Sequence, residues 1–113
     1  MHEPHAVDLT NVEIFTSLST QPCLLEFWAP WCAPCLAMAP VMRELVHELQ
    51  GVAKVGRVDV EATPDIARRF GVANAPTLVL FVDGQAVARV VGFQPSAPLK
   101  RWVRQILRAT GPR

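Results

Sequence analysis

The sequence predicts an α/β protein: a three-layer α/β/α sandwich whose central mixed sheet has about five strands and is flanked by about four helices. Three observations support this fold class. Short apolar runs alternate with helical patterns along most of the chain, which is typical of βαβ units. One run is apolar on both faces, as in a covered parallel sheet. A two-residue turn then joins the last two strands into an antiparallel hairpin.

Length and composition narrow the class of protein further. A chain of 113 residues suits one domain spanning residues 1–113, of which we expect 1–4 to be disordered and 110–113 to form a frayed tail. The formal net charge is +1, from 11 basic and 10 acidic residues, so nothing indicates a nucleic-acid partner. The first residues lack the basic and apolar segments typical of a secretory leader, so we expect none, and no apolar run reaches membrane-spanning length. We therefore expect a soluble, cytoplasmic protein that does not bind a membrane.

The first part of the chain predicts two strands with a helix between them. Residues 5–9 alternate and predict an edge strand. Thr10 and Glu13 have the spacing of a capping box and predict a short helix, whose apolar side chains are Ile14, Phe15 and Leu18. Residues 23–29 are apolar apart from Glu26 and predict a central, buried strand.

A long amphipathic pattern over residues 34–50 predicts the main helix. Pro40 lies inside this pattern and should kink the helix, because proline removes one backbone hydrogen bond. Gly51 supplies a stop signal. Residues 52–60 then predict a second buried strand, with three valines among the alternating positions.

The remainder predicts two further helices and a hairpin. Thr63 is expected to cap a short helix that starts with proline. Residues 77–82 and 85–91 predict the two strands of the hairpin, which Asp83-Gly84 joins. A final amphipathic helix begins near Pro95, and its apolar side chains are Leu99, Trp102, Val103, Ile106 and Leu107.

Two of the three cysteines, Cys32 and Cys35, lie three positions apart at the start of the main helix. A thiolate is the form that attacks a disulfide, and the unpaired N–H groups of a helix start favour negative charge. Cys32 is therefore the predicted nucleophile. Cys35 lies one turn further along, on the apolar side, and is predicted to be more buried and to resolve the mixed disulfide.

Three other interpretations of this pair remain open. A zinc site needs further ligands, and only His47 follows at a plausible distance. An iron–sulfur cluster needs about four thiolates, which would require a second chain. The two cysteines could also be ordinary core residues, as we expect Cys23 to be. The proline between the pair and the tryptophan beside it favour the redox interpretation.

Glu26 is the most informative charged residue, because it interrupts the apolar strand that leads to the cysteine pair. A carboxyl buried there would have a raised pKa and could accept a proton near neutral pH. We predict that Glu26 takes the proton from Cys35 in the second step, and that Arg57 on the adjoining strand pairs with it. The alternatives are an outward-facing edge position for Glu26 and a surface position for Arg57.

These motifs, in this order, resemble the thioredoxin family over nearly the whole chain. Residues 27–35, which read FWAPWCAPC, are similar to the active-site segment of that family. Pro40 matches its helix-kinking proline, and residues 75–77 match its cis-proline loop. Asp83-Gly84 and Gly92 match its hairpin turn and the glycine that follows. The resemblance implies the thioredoxin fold and a thiol–disulfide oxidoreductase that reduces protein disulfides.

The resemblance also implies roles for individual residues. Pro76 would form a cis peptide bond and face the cysteine pair. A groove for an extended substrate segment would be lined by Trp31, Ala33, Pro34, Val60, Asn74, Ala75, Gly92 and Phe93. Three residues would support the site, namely Trp28, Pro40 and Arg57.

The resemblance implies partners as well. Electrons would pass from NADPH, through a thioredoxin reductase, to the redox-active Cys32–Cys35 disulfide, with no metal or cofactor bound to the chain itself. The substrates would be proteins that contain disulfides, and the chain would act as a monomer.

The chain departs from the family pattern near the site. Ala33 stands where glycine is usual, Glu26 where aspartate is usual, and Arg57 where lysine is usual. Asn74 and Ala75 replace a usual glycine and a larger apolar residue. An oxidase or isomerase with a shifted redox potential, or a partner-specific binding module, therefore stays as an alternative to the reductase.

Overall fold

A computed structural model gives the structure of the chain and describes residues 7–8 and 21–110. Five strands form one sheet in the order β1-β3-β2-β4-β5. They are β1 (Val7–Asp8), β2 (Cys23–Trp28), β3 (Lys54–Asp59), β4 (Thr77–Val82) and β5 (Gln85–Val91). The helices of the described part are α1 (Ala33–Glu48), α2 (Pro64–Arg69) and α3 (Ser96–Ala109). Strands β1, β3 and β2 pair in parallel, whereas β4 and β5 are antiparallel, so the predicted mixed sheet is confirmed.

Several predictions for the ends of the chain lie outside the described residues. These are the helix with its Thr10–Glu13 capping box, the disorder of residues 1–4 and most of the tail at 110–113. The predicted edge strand is described only at Val7–Asp8, where it pairs with β3.

The sheet separates two apolar cores, because successive side chains of a strand point to opposite faces. On one face, Leu24 of β2 lies in a buried cluster with Met38 of α1 and Val103 of α3. On the other face, Phe27 lies in a second buried cluster, against which Ile66 of α2 packs. Helices α1 and α3 thus cover one face and α2 covers the other, which confirms the three-layer sandwich.

Several element boundaries differ from the sequence prediction by one or two residues. Helix α1 begins one residue earlier than predicted, at Ala33, and ends at Glu48, with Leu49 as its C-cap. The N–H groups of Val52 and Ala53 both donate to the Leu49 carbonyl, at 2.8 and 2.9 Å. The chain after α1 is therefore a tight turn, and strand β3 begins at residue 54 instead of 52.

The predicted position of Thr63 at the start of α2 is confirmed, but the expected side-chain cap is not formed. Thr63 occupies the N-cap position of α2, but its side chain makes no capping hydrogen bond there. Its hydroxyl instead donates to the carbonyl of Asp59 at 2.7 Å. The Asp59 carboxylate accepts from the N–H groups of Glu61 and Ala62, so the loop before α2 is held by a local aspartate turn.

The hairpin prediction is confirmed in detail. Val82 pairs with Gln85 across a two-residue turn at Asp83 and Gly84. Both turn residues have positive φ, 53° and 77°, which matches the right-handed twist of the flanking strands. Asparagine, aspartate and glycine tolerate this conformation best, which explains why the Asp-Gly dipeptide predicted the turn. No helix in the described part of the chain has the length and apolar character needed to span a membrane.

Candidate active site

The cysteine pair lies where strand β2 ends and helix α1 begins. Cys32 and Cys35 are joined in a disulfide with their Cα atoms 5.2 Å apart. Cys32 is the N-cap of α1, and its Sγ accepts a hydrogen bond from the N–H of Cys35 at 3.2 Å. The N–H of Cys32 donates to the carbonyl of Ala29 at 3.2 Å, which closes the turn between strand and helix. A sulfur at Cys32 therefore sits on the unpaired N–H groups of a helix start, which stabilise a thiolate.

Cys32 and Cys35 differ in environment. Cys35 is fully buried and faces the core, whereas Cys32 is 4% exposed and adjoins Trp31, whose side chain is 69% exposed. Both cysteines belong to a small buried cluster with Ala29. The predicted order of burial is confirmed, and it leaves Cys32 nearer to the surface that a second molecule can reach.

Two loops complete the site opposite the helix start. The Ala75–Pro76 peptide bond is cis, as the resemblance implied, and Cys32 Sγ lies 3.4 Å from the carbonyl oxygen of Ala75. The carbonyl of Pro76 accepts from the N–H of Gly92 at 2.8 Å. The N–H of Gln94 donates to the thioether sulfur of Met38 in α1 at 3.5 Å. These contacts hold the two loops and α1 around the disulfide.

The structure brings two of the predicted groove residues, together with the supporting residue Trp28, into contact with the pair. Trp28, Val60 and Ala75 pack against the cluster that contains both cysteines. Asn74 and Phe93 are exposed at the two loops, and Pro76 between them is buried. Three groove positions remain. Ala33 and Pro34, in the first turn of α1, are exposed, and Gly92, which precedes Phe93, is partly buried.

Glu26 is fully buried in the centre of β2, so an outward-facing edge position is excluded. Arg57 is its direct partner in the β2–β3 register, and Arg57 Nε donates to Glu26 Oε1 at 3.0 Å. The Arg57 side chain is 17% exposed, which corrects the alternative of a surface arginine. The predicted pair of Glu26 and Arg57 is confirmed.

The Glu26 carboxyl lies on the same side of the sheet as the cysteine-bearing helix. It follows Leu24 by two residues along β2, and Leu24 packs in the cluster that includes Met38 of α1. Burial raises the pKa of Glu26, while the charge and hydrogen bond of Arg57 lower it by less, so the net shift is upward. Its Oε2 atom is buried and has no hydrogen-bond partner among the described residues.

Trp28, which the resemblance named as a supporting residue, is a third member of this group, although its contact with Arg57 was not predicted. The Arg57 guanidinium carbon lies 4.2 Å from the centre of the Trp28 ring, so the arginine is held between a carboxylate and an indole face. Trp28 Nε1 is also buried without a partner in the described part of the chain. The signal was present in the sequence, because Glu26 and Trp28 are two apart on one strand and so share a face.

The geometry does not support a metal site at the cysteine pair. His47 lies twelve residues beyond Cys35 on the same helix, which corresponds to about 18 Å along its axis, too far for a shared metal. Among the residues described, no group of three or more His, Cys, Asp or Glu side chains is placed to hold a metal ion. Cys23 is buried, 1% exposed, in the core on the α2 side, as expected of a core residue.

Comparison with known proteins gives a consistent result. The family model described as Thioredoxin matches residues 6–105. A thioredoxin of Staphylococcus aureus is 40% identical over 93 residues, which cover 82% of this chain and 89% of that protein. A bifunctional thioredoxin reductase/thioredoxin of Mycobacterium leprae is 39% identical over 97 residues, 84% of this chain but only 21% of that longer protein.

Solved structures agree with the sequence relatives. A mutant thioredoxin from Halobacterium salinarum NRC-1 superposes with a TM-score of 0.81 at 33% identity, covering 93% of this chain and 94% of that chain. A chain from a study of thiol resolution in a yeast mitochondrial 1-Cys peroxiredoxin by the glutathione/thioredoxin systems gives a TM-score of 0.80 at 28% identity. It covers 88% of this chain and 94% of that chain.

Proposed function

The chain belongs to the thioredoxin family of dithiol–disulfide oxidoreductases, and from this premise we propose that it reduces disulfides of other proteins, with Cys32 as nucleophile and Cys35 as resolving thiol. The observation that carries the assignment of roles is the N-cap position of Cys32. Its sulfur accepts the N–H of Cys35 at the start of α1, while Cys35 is fully buried. One sulfur is thus stabilised as a thiolate near the surface, and the other is kept protonated in the core.

The proposed reaction has two exchange steps. In the first, the Cys32 thiolate attacks one sulfur of a substrate disulfide, and the second substrate sulfur leaves as a thiolate that takes up a proton. In the second, Cys35 loses its proton and attacks the sulfur of Cys32, which releases the remaining substrate thiol. Two electrons pass to the substrate, and the chain is left with the Cys32–Cys35 disulfide.

We assign Glu26 the role of accepting the Cys35 proton. A base for this step needs a pKa nearer to neutrality than that of an ordinary carboxyl, and burial moves the pKa of Glu26 in that direction. Arg57 opposes this shift and orients one carboxylate oxygen, which leaves Oε2 without a protein partner among the described residues. Glu26 acts directly or through one water, and Trp28 and Arg57 are positioning residues.

We assign substrate binding to the surface around the disulfide. Pro76 shapes the floor beside Cys32, and Ala75 offers its backbone to an extended substrate segment. The other positions of this groove are Trp31, Ala33, Pro34, Val60, Asn74, Gly92 and Phe93. The support is that Trp31 and Phe93 are exposed aromatic side chains, 69% and 46%, at positions where a partner would cover them.

The oxidised pair must be reduced again, and we propose that a thioredoxin reductase using NADPH does so. One relative is named as a bifunctional thioredoxin reductase/thioredoxin, which links the two activities in a single protein. We further propose that the chain acts as a monomer in the cytoplasm.

The test is the dithiothreitol-driven reduction of insulin disulfides. The protein is expected to accelerate this reduction well above the uncatalysed rate, and a variant with both cysteines changed to serine is expected not to. A measured reduction potential near the roughly −270 mV of thioredoxin would support a reductant. A value tens of millivolts higher, together with weak insulin reduction, would favour the oxidase or isomerase alternative instead.

A further inference from the structure

The first two turns of α1 are apolar on both faces. The inner face carries Cys35, Met38 and Met42, which are buried. The outer face carries Ala33, Leu36, Ala37 and Pro40, all exposed, at the i, i+3, i+4 and i+7 spacing of a single helical stripe. We call these four residues the outer α1 stripe. A solvent-facing stripe of a helix is normally polar, and an exposed apolar one is typical of a surface that contacts a partner.

Leu36 is the principal side chain of the outer α1 stripe. It is 57% exposed, and it lies one helical turn from Cys32, because its N–H donates to the Cys32 carbonyl at 3.1 Å. Side chains at i and i+4 are neighbours on a helix surface, at about 6 Å between Cβ atoms. A molecule whose sulfur reaches Cys32 therefore has its neighbouring atoms within reach of Leu36.

The segment that carries the stripe contains no charged side chain. No residue between Trp28 and Met42 is charged, and the first turn of α1 contains no acidic side chain. The first cation beyond the stripe is Arg43, about 10 Å further along the helix axis from Leu36. An acidic group placed over Leu36 would lose water and meet no basic side chain from residues 29–42, which is unfavourable.

We propose that Leu36 is a specificity-determining residue, which selects partner proteins whose reactive cysteine is flanked by an apolar side chain instead of an acidic one. The inference rests on the proposed function, because the exchange reaction decides what covers this surface: a polypeptide disulfide must approach Cys32. The outer α1 stripe begins two residues after Trp31, whose side chain is also exposed. The partner's flanking side chain lies on Leu36 in the mixed disulfide.

The test uses two disulfide-linked peptides that differ only at the residue next to cysteine, leucine in one and aspartate in the other. The reduced wild-type protein is expected to reduce the leucine peptide faster. Leu36→Gln is expected to lower kcat/KM for the leucine peptide about three- to tenfold and to leave the aspartate peptide within about twofold. Leu36→Lys is expected to raise kcat/KM for the aspartate peptide. Since Leu36 is exposed, neither change endangers the fold.

The matched control is Val87→Gln, which changes another exposed apolar side chain, 41% exposed, toward the hairpin end of β5 and away from the site. It is expected to alter neither rate. Equal effects of Leu36→Gln on both peptides, or no effect on either, would overturn the inference and leave the reductase function intact. A wild-type protein that reduces neither peptide would instead overturn the proposed function. Sedimentation would also contradict the proposal if the wild type were a dimer and Leu36→Gln a monomer, because a second copy of the chain would then cover the stripe.

Discussion

Arg57 Nε donates to Glu26 Oε1 at 3.0 Å, and this ion pair satisfies one oxygen of a carboxyl that is wholly buried in the central strand. The guanidinium also lies on the face of Trp28, with 4.2 Å between its central carbon and the ring centre. Burial raises the pKa of Glu26 more than Arg57 lowers it. The carboxyl thus has a cation beside it and still holds its proton to a higher pH than an exposed glutamate.

The stability of the protein is expected to fall with rising pH because of Glu26. In the unfolded chain the pKa of this group is about 4.3, whereas in the folded chain its pKa is higher. Between these two values the native state binds one more proton than the unfolded state, so its stabilising contribution, complete below about pH 4.3, is lost as the pH rises through the folded pKa. The slope there approaches about 1.4 kcal/mol per pH unit.

Urea unfolding of the oxidised protein and of Glu26→Gln, across pH 4–9, measures this effect. The free energy of unfolding of the wild type relative to the variant is expected to fall with pH and then level off above the folded pKa. Glu61→Gln, which removes an exposed carboxyl, is the control and is expected to keep the wild-type slope. A stability difference between wild type and Glu26→Gln that rises with pH would contradict the upward shift.

Arg57 is expected to set how far the pKa of Glu26 rises. Arg57→Gln removes both the charge and the hydrogen bond that lower this pKa, so the pKa of Glu26 should rise further. Arg57→Lys keeps a positive charge and should shift the pKa less. Infrared difference spectra of the protonated carboxyl, recorded against pH, measure it in all three proteins, and a lower pKa in Arg57→Gln would refute the assignment.

Replacing Glu26 is expected to slow the second exchange step and to spare the first. Glu26→Gln removes the base near Cys35, so the mixed disulfide on Cys32 should persist longer at neutral pH, with a rate loss on the order of 10²-fold. Glu26→Asp keeps a carboxyl and is expected to recover much of that rate. Rapid-quench measurements with a disulfide peptide separate the two steps. Equal rates of resolution for wild type and Glu26→Gln at pH 6–8 would remove Glu26 from the mechanism.

Much of this site was predictable because its signals are local in the sequence. The placement of the pair at a helix start follows from residues 23–35 alone. So does the burial of Glu26, because a strand that is apolar on both faces is covered on both sides, and a charged side chain within it is buried. The Asp83-Gly84 turn was predictable for the same reason. By contrast, the position of Arg57 over Trp28 depends on the register between two strands, which only tertiary packing decides. Thr63 occupies the predicted N-cap position, but its hydroxyl is directed to the Asp59 carbonyl and makes no capping hydrogen bond, a detail of the preceding loop that the sequence does not indicate.

The unequal burial of the two cysteines predicts an asymmetry in trapping. Cys35→Ser retains the thiolate at the helix start but lacks the resolving thiol, so it should accumulate mixed disulfides on Cys32. Cys32→Ser leaves only the fully buried thiol, which a partner cannot reach, and should trap at least about tenfold less. Mass spectrometry after incubation with a disulfide peptide counts the adducts. Equal trapping by both variants would mean that the nucleophile has been assigned wrongly.

Ala33 is expected to make the Cys32–Cys35 couple slightly more reducing than glycine would. The disulfide closes a small ring around residue 33, and opening that ring releases more backbone freedom for glycine than for alanine. Ala33→Gly should therefore favour the reduced form, by up to about 1 kcal/mol, and move the potential to a less negative value by up to about 20 mV. Ala37→Gly places the same substitution on the exposed face of α1 but outside the ring, so it should leave the potential unchanged. Equilibration with glutathione redox buffers measures all three couples, and a shift of equal size in Ala37→Gly would assign the effect to helix propensity instead of to the ring.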